Sequence, residues 1–224
     1  HEQARNGRRD AALRTLVEAI EALPQPSQTG APFQSILSVC AKLKGTDGLS
    51  GMLRALLDRV HKLPPAGRDQ ALETLATSST EAGEMAPARA ACKSILDTAL
   101  RAKICLAVGV KVLEEGKPER AAGFLQSAQN SIQDTDPAEK ARVLPALARA
   151  WAGAGDEGRA NVLLDHARRR AQTAPANLRP VAVTALLNAL LELQRTDEAL
   201  GVVEEMPGLE ISDVALHRIA RRYA

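Results

Sequence analysis

Four histidines, three cysteines and adjacent acids such as Glu114-Glu115 and Glu204-Glu205 are the side chains of this 224-residue chain best suited to metal binding or catalysis. A metal site needs such ligands brought close together, and a close, repeated spacing usually announces it. His1, His61, His166 and His217 are instead scattered along the chain, and each reads as a surface or satisfied helix residue. Cys40, Cys92 and Cys105 form no CxxC pair, and each falls in an apolar pattern where a buried thiol is the simpler reading. Glu114-Glu115 and Glu204-Glu205 are neighbours. On a helix their carboxylates point about 100° apart, which suits shared work on one substrate poorly. There is no Walker-type phosphate loop, no H-E-x-x-H and no G-x-S-x-G. The expectation is therefore a protein that is not an enzyme, with no catalytic residues, no metal ligands and no cofactor.

The remaining chemistry is cationic and aromatic. Arg168-Arg169-Arg170 and Arg221-Arg222 form short basic runs, and cations near helix C-termini suit the macrodipole. Trp151, the one tryptophan, sits in an apolar helical pattern and reads as core. With 45% hydrophobic and 25% charged residues, the composition is that of an ordinary globular protein. Aromatic residues are only 2%, so the core has to be built from Ala, Leu, Val and Ile. A net charge of +2 sets nucleic acid aside as an obligate partner. The scarcity of aromatics also removes the stacking platforms that base reading uses. No run approaches the roughly 18 apolar residues of a membrane span. Unpaired cysteines favour the cytoplasm, with export as the alternative. Because the chain begins at His1, a processed product or a piece of a longer protein is expected.

The elements that must position these residues are legible as a repeat. An apolar doublet followed by an acid or its amide recurs at Leu16-Val17, Leu56-Leu57, Ile95-Leu96, Phe124-Leu125, Leu163-Leu164 and Val202-Val203. Successive doublets lie 40, 39, 29, 39 and 39 residues apart. A fixed spacing of this size marks stacked helical units. Each doublet belongs to a second helix, B, starting near residues 10, 50, 87, 118, 157 and 197. First helices, A, are expected at about 33–44, 68–82, 101–115, 138–153 and 180–194, where apolar residues recur at three- and four-residue steps. Gly45, Gly83, Gly116 and Gly155 end A helices. Asp136-Pro137 with Glu139 reads as an N-cap, a first-turn proline and a capping-box partner. Pro145 falls inside an A helix and should bend it. In the short 29-residue step the usual turn is missing between Asp97 and Ile104, so either B and A fuse there or a segment is absent. The doublet leucines Leu56, Leu96, Leu125 and Leu164 are expected in the core.

A helix pair with Gly, a short polar turn and Ala five residues after the Gly resembles the tetratricopeptide repeat family. Gly116 to Ala121 and Gly155 to Ala160 carry the motif, and Ala199 keeps its Ala with Gln194 in the Gly place. Small residues seven positions before the turn, Ser38, Ala76, Gly109 and Ala148, fit the family's close helix contact, whereas Leu187 departs from it. The 39-residue spacing is longer than the family's usual repeat and suggests a long-helix variant. The HEAT family is the structural alternative, since its helices commonly carry a proline where Pro145 lies. The resemblance implies an all-α, right-handed α-solenoid running over residues 1–224 as one array, truncated or continuing at both ends, with A helices lining its concave side.

Such a groove implies a protein or peptide partner. The expected stripes are Lys103, Leu106, Val110 and Leu113 on one A helix, Arg142 and Arg149 on the next, and Thr184, Asn188 and Leu191 on the third. An apolar wall beside an arginine-bearing one suits a peptide with an apolar anchor and a carboxylate. The plain alternative is that Arg142 and Arg149 form solvated pairs with nearby acids. A ligand-sensing regulatory domain of a larger enzyme or transcription regulator is the second functional reading. Ser212 to Ala224, with Val214, Leu216 and Ile219 apolar, reads as a further A helix without a B helix to cover it. That end is expected to dock on more chain, on a partner or on a second copy.

Overall fold

In the computed structural model, residues 31–206 are described, together with Ala11, Thr15, Glu18, Ala220 and Arg221 singly. The Leu16-Val17 doublet and the Val214, Leu216 and Ile219 stripe lie outside the described residues. Every regular element among those described is an α-helix. In chain order they are α1 (Ala31–Lys42), α2 (Leu49–His61), α3 (Pro65–Glu81), α4 (Met85–Ser94), α5 (Thr98–Glu114), α6 (Pro118–Ile132), α7 (Pro137–Gly153), α8 (Glu157–Thr173), α9 (Arg179–Glu192) and α10 (Thr196–Glu205). They fall into two compact units, His1–Ile104 and Cys105–Ala224, and the division lies within α5.

In the first unit α3 packs on α1, α2 and α4, and α2 also packs on α4. The reason is visible in α2: Leu49, Met52, Leu53, Leu56, Leu57 and Val60 recur every three or four residues and are all buried. That spacing gathers them on one face, which neighbouring helices must cover. Leu37, Cys40, Leu72 and Leu75 complete a core that water does not reach. Burial pushes the Cys40 thiol up to about 11, so it stays protonated and unreactive at neutral pH. All three cysteines are buried as thiols.

The short repeat resolves in neither of the two expected ways. Helix α4 stops at Ser94, the backbone turns extended at Ile95 (φ −63°, ψ 126°), and α5 begins at Thr98. Much of the missing length comes from α4 itself, which has 10 residues. Asp69 of α3 holds this junction by accepting the N–H groups of Leu96 (3.0 Å) and Asp97 (2.8 Å) on its two carboxylate oxygens. Asp97 in turn accepts the N–H groups of Ala99 (2.8 Å) and Leu100 (3.0 Å), capping α5. The expectation that Leu96 is core is wrong: it is 62% exposed, while Ile95 is fully buried. In an extended segment successive side chains point to opposite sides, so the doublet cannot face inward as a pair. Leu56, Leu125 and Leu164 are buried as expected.

In the second unit α7 packs on α6, α8 and α9, and α9 also packs on α8 and α10. Gly109 shows how close helices come. A Cβ built there would stand 2.6 Å from Leu125 Cδ2 and 3.2 Å from its Cγ, so any larger residue at this point would force Leu125 of α6 to shift. Asp136 caps α7 by accepting the N–H groups of Ala138 (2.8 Å) and Glu139 (2.9 Å), with Pro137 in the first turn. Helix α7 continues through Pro145, which is buried. Trp151 is core, and the Arg159 guanidinium lies 4.4 Å from its ring centroid.

One turn recurs in both units. Gly83, Gly116 and Gly155 adopt φ of 82°, 73° and 84°, and Gln194 adopts 60° in the same role. After Gly116, Lys117 N–H donates to Val112 O (3.2 Å), and Gly116 N–H donates to Leu113 O (2.8 Å). Glu84, Asp156 and Arg195 repeat that six-residue closure onto Ser79, Trp151 and Leu190. It satisfies carbonyls at the helix end and reverses the chain into the next helix.

Candidate functional site

The three expected stripes lie on α5, α7 and α9. On α5, Lys103 is exposed and Leu106, Val110 and Leu113 are half-buried. Lys103 stands just before the division between the units, and the other three belong to the second unit. At the end of α5, Leu113 Cδ1 lies 3.7 Å from a Cβ built on Gly153 of α7. On α7, Arg142 is exposed and paired with Glu139 at 2.8 Å. Arg149 is half-buried and donates to Glu192 at the end of α9. On α9, Thr184 is half-buried, Asn188 is exposed, and Leu191 is only 7% exposed and serves the core. The Arg149–Glu192 pair thus ties α7 to the end of α9. Both arginines already hold carboxylates, so a partner's carboxylate would have to displace or share an acid of this chain.

A second feature had no local signature in the sequence. A cavity of about 420 Å³ opens where the C-terminal end of α6, the first turns of α7 and the C-terminal half of α8 meet. Ile132 and Leu144, both buried, give it an apolar floor. Lys140, His166, Arg169 and Arg170 line it, with Gln172 and Thr173 beside them. The arginine run therefore divides in function. Arg168 pairs with Glu205 of α10, which also accepts from Gln172 Nε2 (3.1 Å). That hydrogen bond from Arg168 is the largest influence; it outweighs desolvation and, with the Arg168 charge and the Gln172 bond, holds the Glu205 carboxyl below the usual carboxylate range. Arg169 and Arg170 face the cavity instead. His166, expected to be a surface residue, is one, but it stands at the cavity wall.

The spacing G-x-G-x-x-G does occur once, at Gly153-Ala154-Gly155-Asp156-Glu157-Gly158. It joins helix α7 to helix α8. The dinucleotide fingerprint needs a strand before it; here only Gly155, at φ 84°, makes the turn, while Gly153 and Gly158 lie within the flanking helices. Among the described residues no group of three or more His, Cys, Asp or Glu side chains is placed to hold a metal ion. No helix among them is long and apolar enough to cross a membrane. What the fold defines is an all-α protein of sequentially packed helices. No family model matches the chain. No curated protein matches it either.

Proposed function

We propose that the chain is a protein- or peptide-binding scaffold, a right-handed α-solenoid of long tetratricopeptide-like helix pairs whose first helices present a groove. The observation that carries this reading is the same left-handed turn, closed by the same hydrogen bond, at Gly83, Gly116, Gly155 and Gln194. Repeated turns of one kind set successive helix pairs in similar arrangements, and stacked pairs create extended surfaces suited to segments of other proteins. Packing of α7 on α9, and of α1 on α3, supports adjacency of the first helices within each unit.

The test is capture of a partner from the source lysate, followed by affinity measurement with the double charge reversal Arg142→Glu and Arg149→Glu. Loss of roughly tenfold or more in affinity, with helix content and melting temperature kept, is expected where a partner's acid shares these cations. Unchanged affinity in a folded variant removes the α5–α7–α9 face from consideration. The reading as a ligand-sensing regulatory domain is favoured by a separate observation, the cation-lined cavity beside α8.

A further inference from the structure

We propose that the cavity between α6, α7 and α8 binds a small organic phosphate, with its phosphate among Lys140, Arg169 and Arg170 and its organic part on Ile132 and Leu144. The volume of about 420 Å³ fits a small molecule rather than a single ion. The apolar floor and cationic wall divide that volume in the way an amphiphilic anion requires. Charge placement carries the argument further. Cations at the end of α8 are accounted for by the helix macrodipole, but Lys140 is not. It sits four residues into α7, near the positive end of that helix, where a cation is disfavoured.

The local acids are committed elsewhere or leave the cations unpaired. Asp136 caps α7, Glu139 pairs with Arg142, and Glu205 is held by Arg168 and Gln172. Asp165 lies one turn before Arg169, yet Arg169 Nε donates to its backbone oxygen (3.3 Å). Among the described residues no salt bridge engages Lys140, Arg169 or Arg170. Three like charges facing one cavity repel one another, and a phosphate dianion relieves that repulsion through charge-assisted hydrogen bonds. The cavity shares no lining residue with the α5–α7–α9 stripes, and its ligand is of a different class from a peptide.

The experiment is titration of the whole 224-residue chain with phenyl phosphate and with inorganic phosphate at low salt, followed by calorimetry and by the His166 ring proton resonances. Phenyl phosphate is expected to bind saturably, to shift the His166 signals, and to bind roughly tenfold tighter than inorganic phosphate because of the apolar floor. Lys140→Gln with Arg169→Gln and Arg170→Gln should weaken it by roughly tenfold or more, while Lys111→Gln leaves it unchanged. If the triple variant does not fold, the single Lys140→Gln, with weakened binding expected, decides in its place. The proposal is overturned by absence of saturable binding, by equal affinity for the two phosphates, or by unaltered binding in the folded variants. A phosphopeptide that binds where phenyl phosphate does not would also overturn it, making the site one for protein recognition.

Discussion

Helices α4 and α8 begin alike and end differently. Each starts two residues after a left-handed glycine, Gly83 or Gly155, and each follows a 17-residue partner, α3 or α7. Helix α4 ends at Ser94, whose hydroxyl meets His61 Nε2 (2.9 Å), whereas α8 runs on to Thr173. The added turns carry Arg168, Arg169, Arg170, Gln172 and Thr173, which build the cavity wall and the link to α10. One turn geometry thus supports either a short helix with a strapped extended exit or a long helix that presents charge. The helix start sets the packing, and the helix length determines where chemistry can be placed.

The sharpest way to break that comparison is to truncate corresponding doublet leucines. Leu164→Ala, at a site 4% exposed on α8, should cost about 2–5 kcal/mol in denaturant unfolding. Leu96→Ala, at the exposed exit of α4, should cost less than about 0.5 kcal/mol. Similar losses at the two sites would mean that the exit of α4 is helical and packed after all. Of intermediate size, Asp69→Ala should destabilise by about 1 kcal/mol, as loss of a capping carboxylate does. It should also speed amide exchange at Leu96 and Asp97, whose N–H groups Asp69 accepts. Unchanged exchange there would show that the strap does not hold the junction.

The smallest effect is electrostatic. Glu205 is held below the usual carboxylate range chiefly by Arg168. The pair's stabilisation is therefore present above that range and disappears as pH falls through the lowered value. Carboxyl NMR titration should find Glu205 low in the native chain and nearer the ordinary value in Arg168→Gln. An equal titration in both would detach α8's added turns from α10.

Much of this arrangement could be read from the sequence because its causes are local. The A helices begin within three residues of their expected starts, since apolar spacing and glycines past helix ends act over a few residues. The B helix expected near residue 87 starts at Met85. Leu96 failed because a doublet looks the same in a helix and in an extended exit, and the decisive contact, Asp69, lies 27 residues earlier. The cavity failed for a related reason. His166 and the arginines share one helix in the sequence pattern, but Lys140 reaches them only through packing of α7 against α8, and no spacing in the chain encodes that.

The single tryptophan gives the molecule a built-in optical reporter. Trp151 is buried on α7, its Nε1 makes no hydrogen bond among the described residues, and a guanidinium stands over its ring. An indole so shielded emits at short wavelength when native and shifts red when water reaches it. Because Trp151 belongs to the second unit alone, its emission follows that unit, while circular dichroism follows every helix. Where the two signals melt together, the units behave as one cooperative body, and where they part, each unit has its own melting temperature.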